Sequence, residues 1–201
     1  ETIQSEGPWG ISDKVFNYTV FNSGSLSKYV LRKVPYDFEY AAIQAGIGTP
    51  HAVYAEFTAD ETLLVRAEAQ ALLGHYAEAL EDLNTELAAF SKDGVQLTLD
   101  DVKKFYSDDV TAYYTPEKPT PRKAFHTTFA ISKDTEEPML QCILHLRRIM
   151  TIHEGLRMQD VKRYGITIYR RDVKSNYKIT GITDTMEARD PRLAIQLPQD
   201  V

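Results

Sequence analysis

Cysteine is almost absent, with Cys142 the single one in 201 residues. One thiol makes no disulfide within the chain, and inside the apolar run MLQCILHL it reads as a small buried hydrophobe. Cysteine use therefore assigns no compartment. Long apolar runs are also missing. Nothing approaches 18 consecutive apolar residues, so no segment reads as a membrane-spanning helix, and none reads as a signal peptide. Cations are outnumbered, 23 Lys and Arg against 29 Asp and Glu, giving a net charge of −6. That balance argues against nonspecific nucleic-acid binding, which needs clustered basic side chains to neutralise phosphates. The one basic concentration, Arg147 to Arg163, is interleaved with Glu154 and Asp160 and reads as a paired set.

Reaction motifs are missing too. There is no GxSxG, no P-loop and no CxxC. His153-Glu154 begins like HExxH, but Arg157 stands where the second His belongs, so the zinc motif fails. His145 and His153 read as core or partly exposed side chains. Asp100-Asp101 and Asp108-Asp109 read as helix-start and solvated charges. No metal, cofactor or enzymatic activity is expected.

What the chain has is helical periodicity. Thr58 with Glu61 three residues on is a capping box, and Leu63, Leu64, Ala67, Ala71 and Leu72 recur with a helical period. Gly74 ends that helix, and Tyr76, Ala79, Leu80, Leu83 and Leu87 stripe a second one ending near Phe90. A short helix is predicted from Leu99 to Tyr106, capped by Thr98. Residues 107–137 carry Pro116, Pro119 and Pro121 and read as a long loop. Thr135 and Pro138 open a long apolar helix, which Gly155 bends and EGLRMQDVKRYG extends. Short strands are predicted at KVFNYTVF and KYVLRKV near the start and at ITIYRR and NYKIT near the end, while 35–57 reads mostly as loop. The expected fold is mainly α and one domain. An irregular and hairpin stretch (1–57) precedes a helical core (58–165) whose hairpin (59–90) packs with a long C-terminal helix, followed by short strands and a tail (166–201).

Two patterns point to function. The hairpin resembles a tetratricopeptide repeat, with Ala67 at the small position, Gly74 at the turn, Tyr76 as the aromatic and Ala79 at the close contact, although Gln70 replaces the usual aromatic. No second copy occurs at a period of 34, so a plain Ala-seamed helix hairpin is the competing reading. LHLRRIMTIHEGLRMQDVKRYG resembles a signature of the SusD/RagB family, with Glu154, Gly155, Arg157, Asp160 and Arg163 in place, Val161 for Leu, and Leu146 where a Glu would precede the Arg pair. DPRLAIQLPQDV and LLVRAEAQALLGHYAEALEDLN resemble that family's closing segment and repeat, in the family's order.

The resemblance implies the C-terminal region of a longer cell-surface lipoprotein. It would be held at the outer membrane by a lipidated cysteine ahead of Glu1, pair with a SusC-like TonB-dependent transporter, and capture an oligosaccharide or polysaccharide without cleaving it. The tetratricopeptide alternative implies a polypeptide ligand. Glu154, Gly155, Arg157, Asp160 and Arg163 are expected to be structural, through i,i+3 pairs Glu154–Arg157 and Asp160–Arg163. Candidate sugar-binding rings are Trp9 in GPWG, Tyr36 and Tyr40 in VPYDFEY, and Tyr113 and Tyr114 before the Pro-rich loop. Each has packing on the core as its alternative.

Overall fold

In a computed structural model the described residues are 6–10, 20–23, 28–31, 33, 37–53, 55–91, 94–174 and 178–194. Helix α1 (Ala59–Leu72) starts where the capping box places it, with Thr58 accepting a hydrogen bond from the Glu61 amide. Gly74, at φ 80°, makes the left-handed turn into α2 (Tyr76–Phe90). Ala67, Ala71 and Ala79 are fully buried at the crossing, beside Leu64, Leu83 and Leu87. The small side chains let the backbones approach, and the leucines fill the space on either side. Helix α3 (Leu99–Phe105) carries a complete capping box between Thr98 and Asp101.

Helix α4 (Glu136–Met150) is the centre of the fold: thirteen of its fifteen residues are buried, and α1, α2 and α3 all pack against it. It is not the long rod expected from the sequence. Residues 151–156 form turns, with His153 at φ 69° and Gly155 at φ 80°, and helix α5 (Arg157–Tyr164) begins afresh. Two left-handed residues on either side of Glu154 keep the chain out of the i→i−4 ladder, so Gly155 helps separate the helices instead of bending one. Gly165 closes α5 at φ 59° and permits a close approach: a Cβ there would lie 2.5 Å from the His126 carbonyl oxygen. The loop 107–135 has no regular element and lies across α4 and α5. The His126 amide bonds the Tyr164 carbonyl at 2.8 Å, and the Gln141 side chain clamps both backbone groups of Lys123.

Three two-stranded antiparallel ribbons complete the described structure. Strands β1 (Val20–Ser23) and β2 (Lys28–Leu31) form the first, within the expected hairpin, whose remaining residues lie outside the described ones. Strands β3 (Asp37–Ala42) and β4 (Ile47–His51) form the second, in the region read from sequence as mostly loop. Its apparent breakers have defined places: Gly46 is the left-handed residue at the turn, and Pro50 sits in a ribbon whose outer edge needs no amide donor. Strands β5 (Ile168–Val173) and β6 (Ile179–Met186) form the third, with two register irregularities. The architecture is five helices around one core with short ribbons, and the hairpin occurs once among the described residues.

Candidate functional site

Two neighbouring arginines on α4 organise the chemistry. Arg147 is buried and paired with two carboxylates, and its Nε, like that of Arg148, has no hydrogen-bond partner among the described residues. Its guanidinium donates to Asp160 Oδ1 at 2.8 Å, to Glu68 Oε2 at 2.5 Å and to the Leu64 carbonyl at 3.2 Å. Glu68 Oε1 also accepts from the Tyr164 hydroxyl at 2.6 Å and pairs with Arg163 at 2.9 Å. Burial alone would raise the Glu68 carboxyl, but Arg147 and the Tyr164 hydrogen bond hold it below its ordinary value. In Asp160 burial prevails over Arg147, and the net direction is upward. This cluster ties α1, α4 and α5 together.

It also redistributes the expected pairs. Asp160 is held by Arg147, with Arg157 at 3.7 Å, and Arg163 reaches across to Glu68 on α1. Glu154 pairs with Lys33. The i,i+3 pair Glu154–Arg157 is excluded because α5 starts only at Arg157, so the two do not share a helix face. Sequence reading missed Arg147 and Glu68. The signal was there: Arg147 fills the first Arg of the EGLR-type signature, and Glu68 the Glu of Ala-Glu-Ala, but their contact spans 79 residues.

Arg148 faces a different environment. It lines a cleft of about 390 Å³ at the far edge of α4, with Tyr114, Lys123, Arg157 and Arg171 around it and Ile166 and Ile168 as apolar wall. Lys123 is buried and donates to the Thr120 carbonyl at 2.7 Å, with its ammonium 3.3 Å from the centre of the Tyr114 ring. Burial, with Arg148, Arg157 and Arg171 nearby, pushes Lys123 down to about 5. Burial and Arg157 pull Arg148 down to about 10. Arg171 binds loop carbonyls at Thr115 and Pro116 and donates to the Tyr114 hydroxyl at 2.6 Å. Among the described residues, no carboxylate lies within ion-pair distance of Arg148, Lys123 or Arg171, and Arg148 Nε has no hydrogen-bond partner. Among the described residues no carboxylate lines the cleft.

The candidate rings divide. Tyr114 lies in the cleft, stacked on Tyr169 with centroids 5.3 Å apart. Tyr113 is not presented in the same way: Arg122 covers its ring at 3.9 Å and its hydroxyl donates to buried Glu137. Trp9 is a correction. It is 3% exposed and packs 4.9 Å from His145, because paired backbone bonds between Gly7 and Gly10 close GPWG into a turn that points the indole inward. Tyr40 is exposed on β3 beside Phe38 but remote in sequence and element from the cleft. Tyr36 lies outside the described residues. Ala67 and Ala79 are in the seam as expected, with Tyr76 half-buried against the core. Among the described residues no group of three His, Cys, Asp or Glu side chains could hold a metal. Among the described residues no helix is long and apolar enough to cross a membrane. No family model, curated protein or solved structure matches the chain.

Proposed function

We propose that this chain captures an oligosaccharide at the bacterial cell surface for import, as a SusD/RagB-like, non-catalytic binding protein that hands its ligand to a TonB-dependent transporter. The resembling stretches 63–84 and 144–165 supply a rigid frame, with the hairpin in the tetratricopeptide manner, and the loop 107–135 supplies the ligand side chains. The observation that carries this reading is the open cleft at the edge of α4, where guanidinium groups, Thr hydroxyls and an aromatic ring converge on a frame locked by Arg147. Planar donors reach sugar hydroxyls, while aliphatic and aromatic surface covers C–H faces. Anchoring to the outer membrane through an N-terminal lipid belongs to the same proposal.

The test is a glycan array followed by calorimetric titration. Saturable binding of a defined oligosaccharide, without hydrolysis, is the expected result. Hydrolysis of the bound sugar would replace capture with catalysis. A second reading, a tetratricopeptide-type module for a polypeptide, is favoured by the exposed apolar side chains Phe57, Val65 and Leu73 along and beside the hairpin. Peptide binding that survives changes in the cleft, with no glycan bound, would select it.

A further inference from the structure

We infer that the cleft around Arg148 is an oxyanion site, and that the ligand it takes is an acidic oligosaccharide bearing a carboxylate or a sulfate ester. This rests on the glycan-capture reading and narrows it. The argument starts from charge. Three guanidinium groups, Arg148, Arg157 and Arg171, from two helices and a strand, line one cleft together with the Lys123 amine of a loop. Arg157 alone among them has a carboxylate partner among the described residues, at 3.7 Å, and that carboxylate is already bonded to Arg147. Like charges brought together without counter-ions repel, and a guanidinium shielded from water with unused donors loses its hydration without replacement.

The same fold shows the alternative it did not take at this site. One residue earlier, on the same helix, Arg147 is given two carboxylates. The cleft is also shaped for an oxyanion. Guanidinium forks match the paired oxygens of a carboxylate or sulfate. Lys123 is fixed at the cleft wall by the Gln141 clamp and the Thr120 carbonyl. Ile166 and Ile168 give the remainder of a sugar an apolar wall. The cleft is open at one side and lined by a loop, so a polymer end or branch can enter without the frame moving.

Calorimetric titration at fixed ionic strength tests this with four probes: a trigalacturonate, a sulfated disaccharide, a neutral trisaccharide of similar size, and sodium sulfate. The expected result is at least tenfold tighter binding of one acidic sugar than of the neutral one. Arg148→Gln should remove at least tenfold of that affinity while the protein keeps its melting temperature, and Lys123→Met should weaken it in the same direction. The galacturonate and sulfate arms distinguish the two sources of the anion. Equal binding of acidic and neutral sugars overturns the inference and leaves glycan capture standing. Sulfate binding that depends on Arg148, with no sugar bound, supports the oxyanion site and overturns the oligosaccharide class together with the capture reading. A melting temperature that falls by several degrees in sugar-free Arg148→Gln overturns it as well, since Arg148 would then be holding an acidic stretch of polypeptide.

Discussion

Arg147 and Arg148 are adjacent in sequence and opposite in circumstance. Arg147 sits where three helices meet, with Glu68 and Asp160 across from it and Tyr164 completing the network. Arg148 lines a cleft at the edge of the fold, shared with Arg157, Arg171 and the Lys123 amine. The contrast separates two uses of a buried charge. A cation matched by carboxylates orders the fold around it, whereas a cation left unmatched is a cost that folding alone does not repay.

The largest expected effect comes from breaking the closed side. Arg147→Met leaves Glu68 and Asp160 buried without their main cation, and should cost about 3–5 kcal/mol, read as a lower midpoint in urea. The next sharpens the open side. Lys123 is depressed in the folded state, so its contribution to stability is lost as pH falls from its unfolded value toward about 5. Lys123→Met should therefore gain on the wild type as pH falls from 9 to 6, by about 4 kcal/mol over that window. A constant difference across pH would mean that Lys123 stays charged.

Glu86 offers the anionic counterpart, a carboxyl that is 3% exposed with Oε1 unpartnered. Burial, then Asp60, raises it to about 7. Its raised value favours the protonated fold, so that stability is full below about pH 4.5 and is lost as pH rises through 7. Glu86→Gln should flatten that decline by about 2 kcal/mol. The smallest effect has the opposite sign. Arg148→Met removes an unmatched cation and should stabilise the ligand-free protein by about 1 kcal/mol, visible as a rise in melting temperature.

The frame was legible in the sequence where its signals are local. Thr58 with Glu61, Gly74 and Thr98 with Asp101 each act within a few residues, and they fixed α1, α2 and α3 to within a residue or two. The β3–β4 ribbon was hidden because Gly46, Gly48 and Pro50 look like breakers, although each has a place in a narrow exposed hairpin. The break after Met150 was hidden by continuous apolar periodicity on both sides of Gly155. Trp9 was misplaced because a four-residue turn, not loop composition, decides where its ring points. Of the cleft, only Tyr114 was singled out for binding, and Arg157 was expected to be structural. Tyr114, Lys123, Arg148, Arg157 and Arg171 come from four separate segments, a loop, two helices and a strand, and no spacing along the chain announces that they meet. Their lack of carboxylates is a property of three dimensions: in sequence, Glu154 and Asp160 lie close enough to Arg148 and Arg157 to look like partners.

The most direct measurement is thermal melting of the wild type and Arg148→Met, side by side, with and without a saturating acidic oligosaccharide. A ligand that binds only the folded state raises its melting temperature. The account predicts that Arg148→Met melts higher than the wild type without sugar and that the sugar raises the wild type by more than it raises Arg148→Met. An equal ligand-induced rise in both proteins, or a lower sugar-free melting temperature for Arg148→Met, would contradict it.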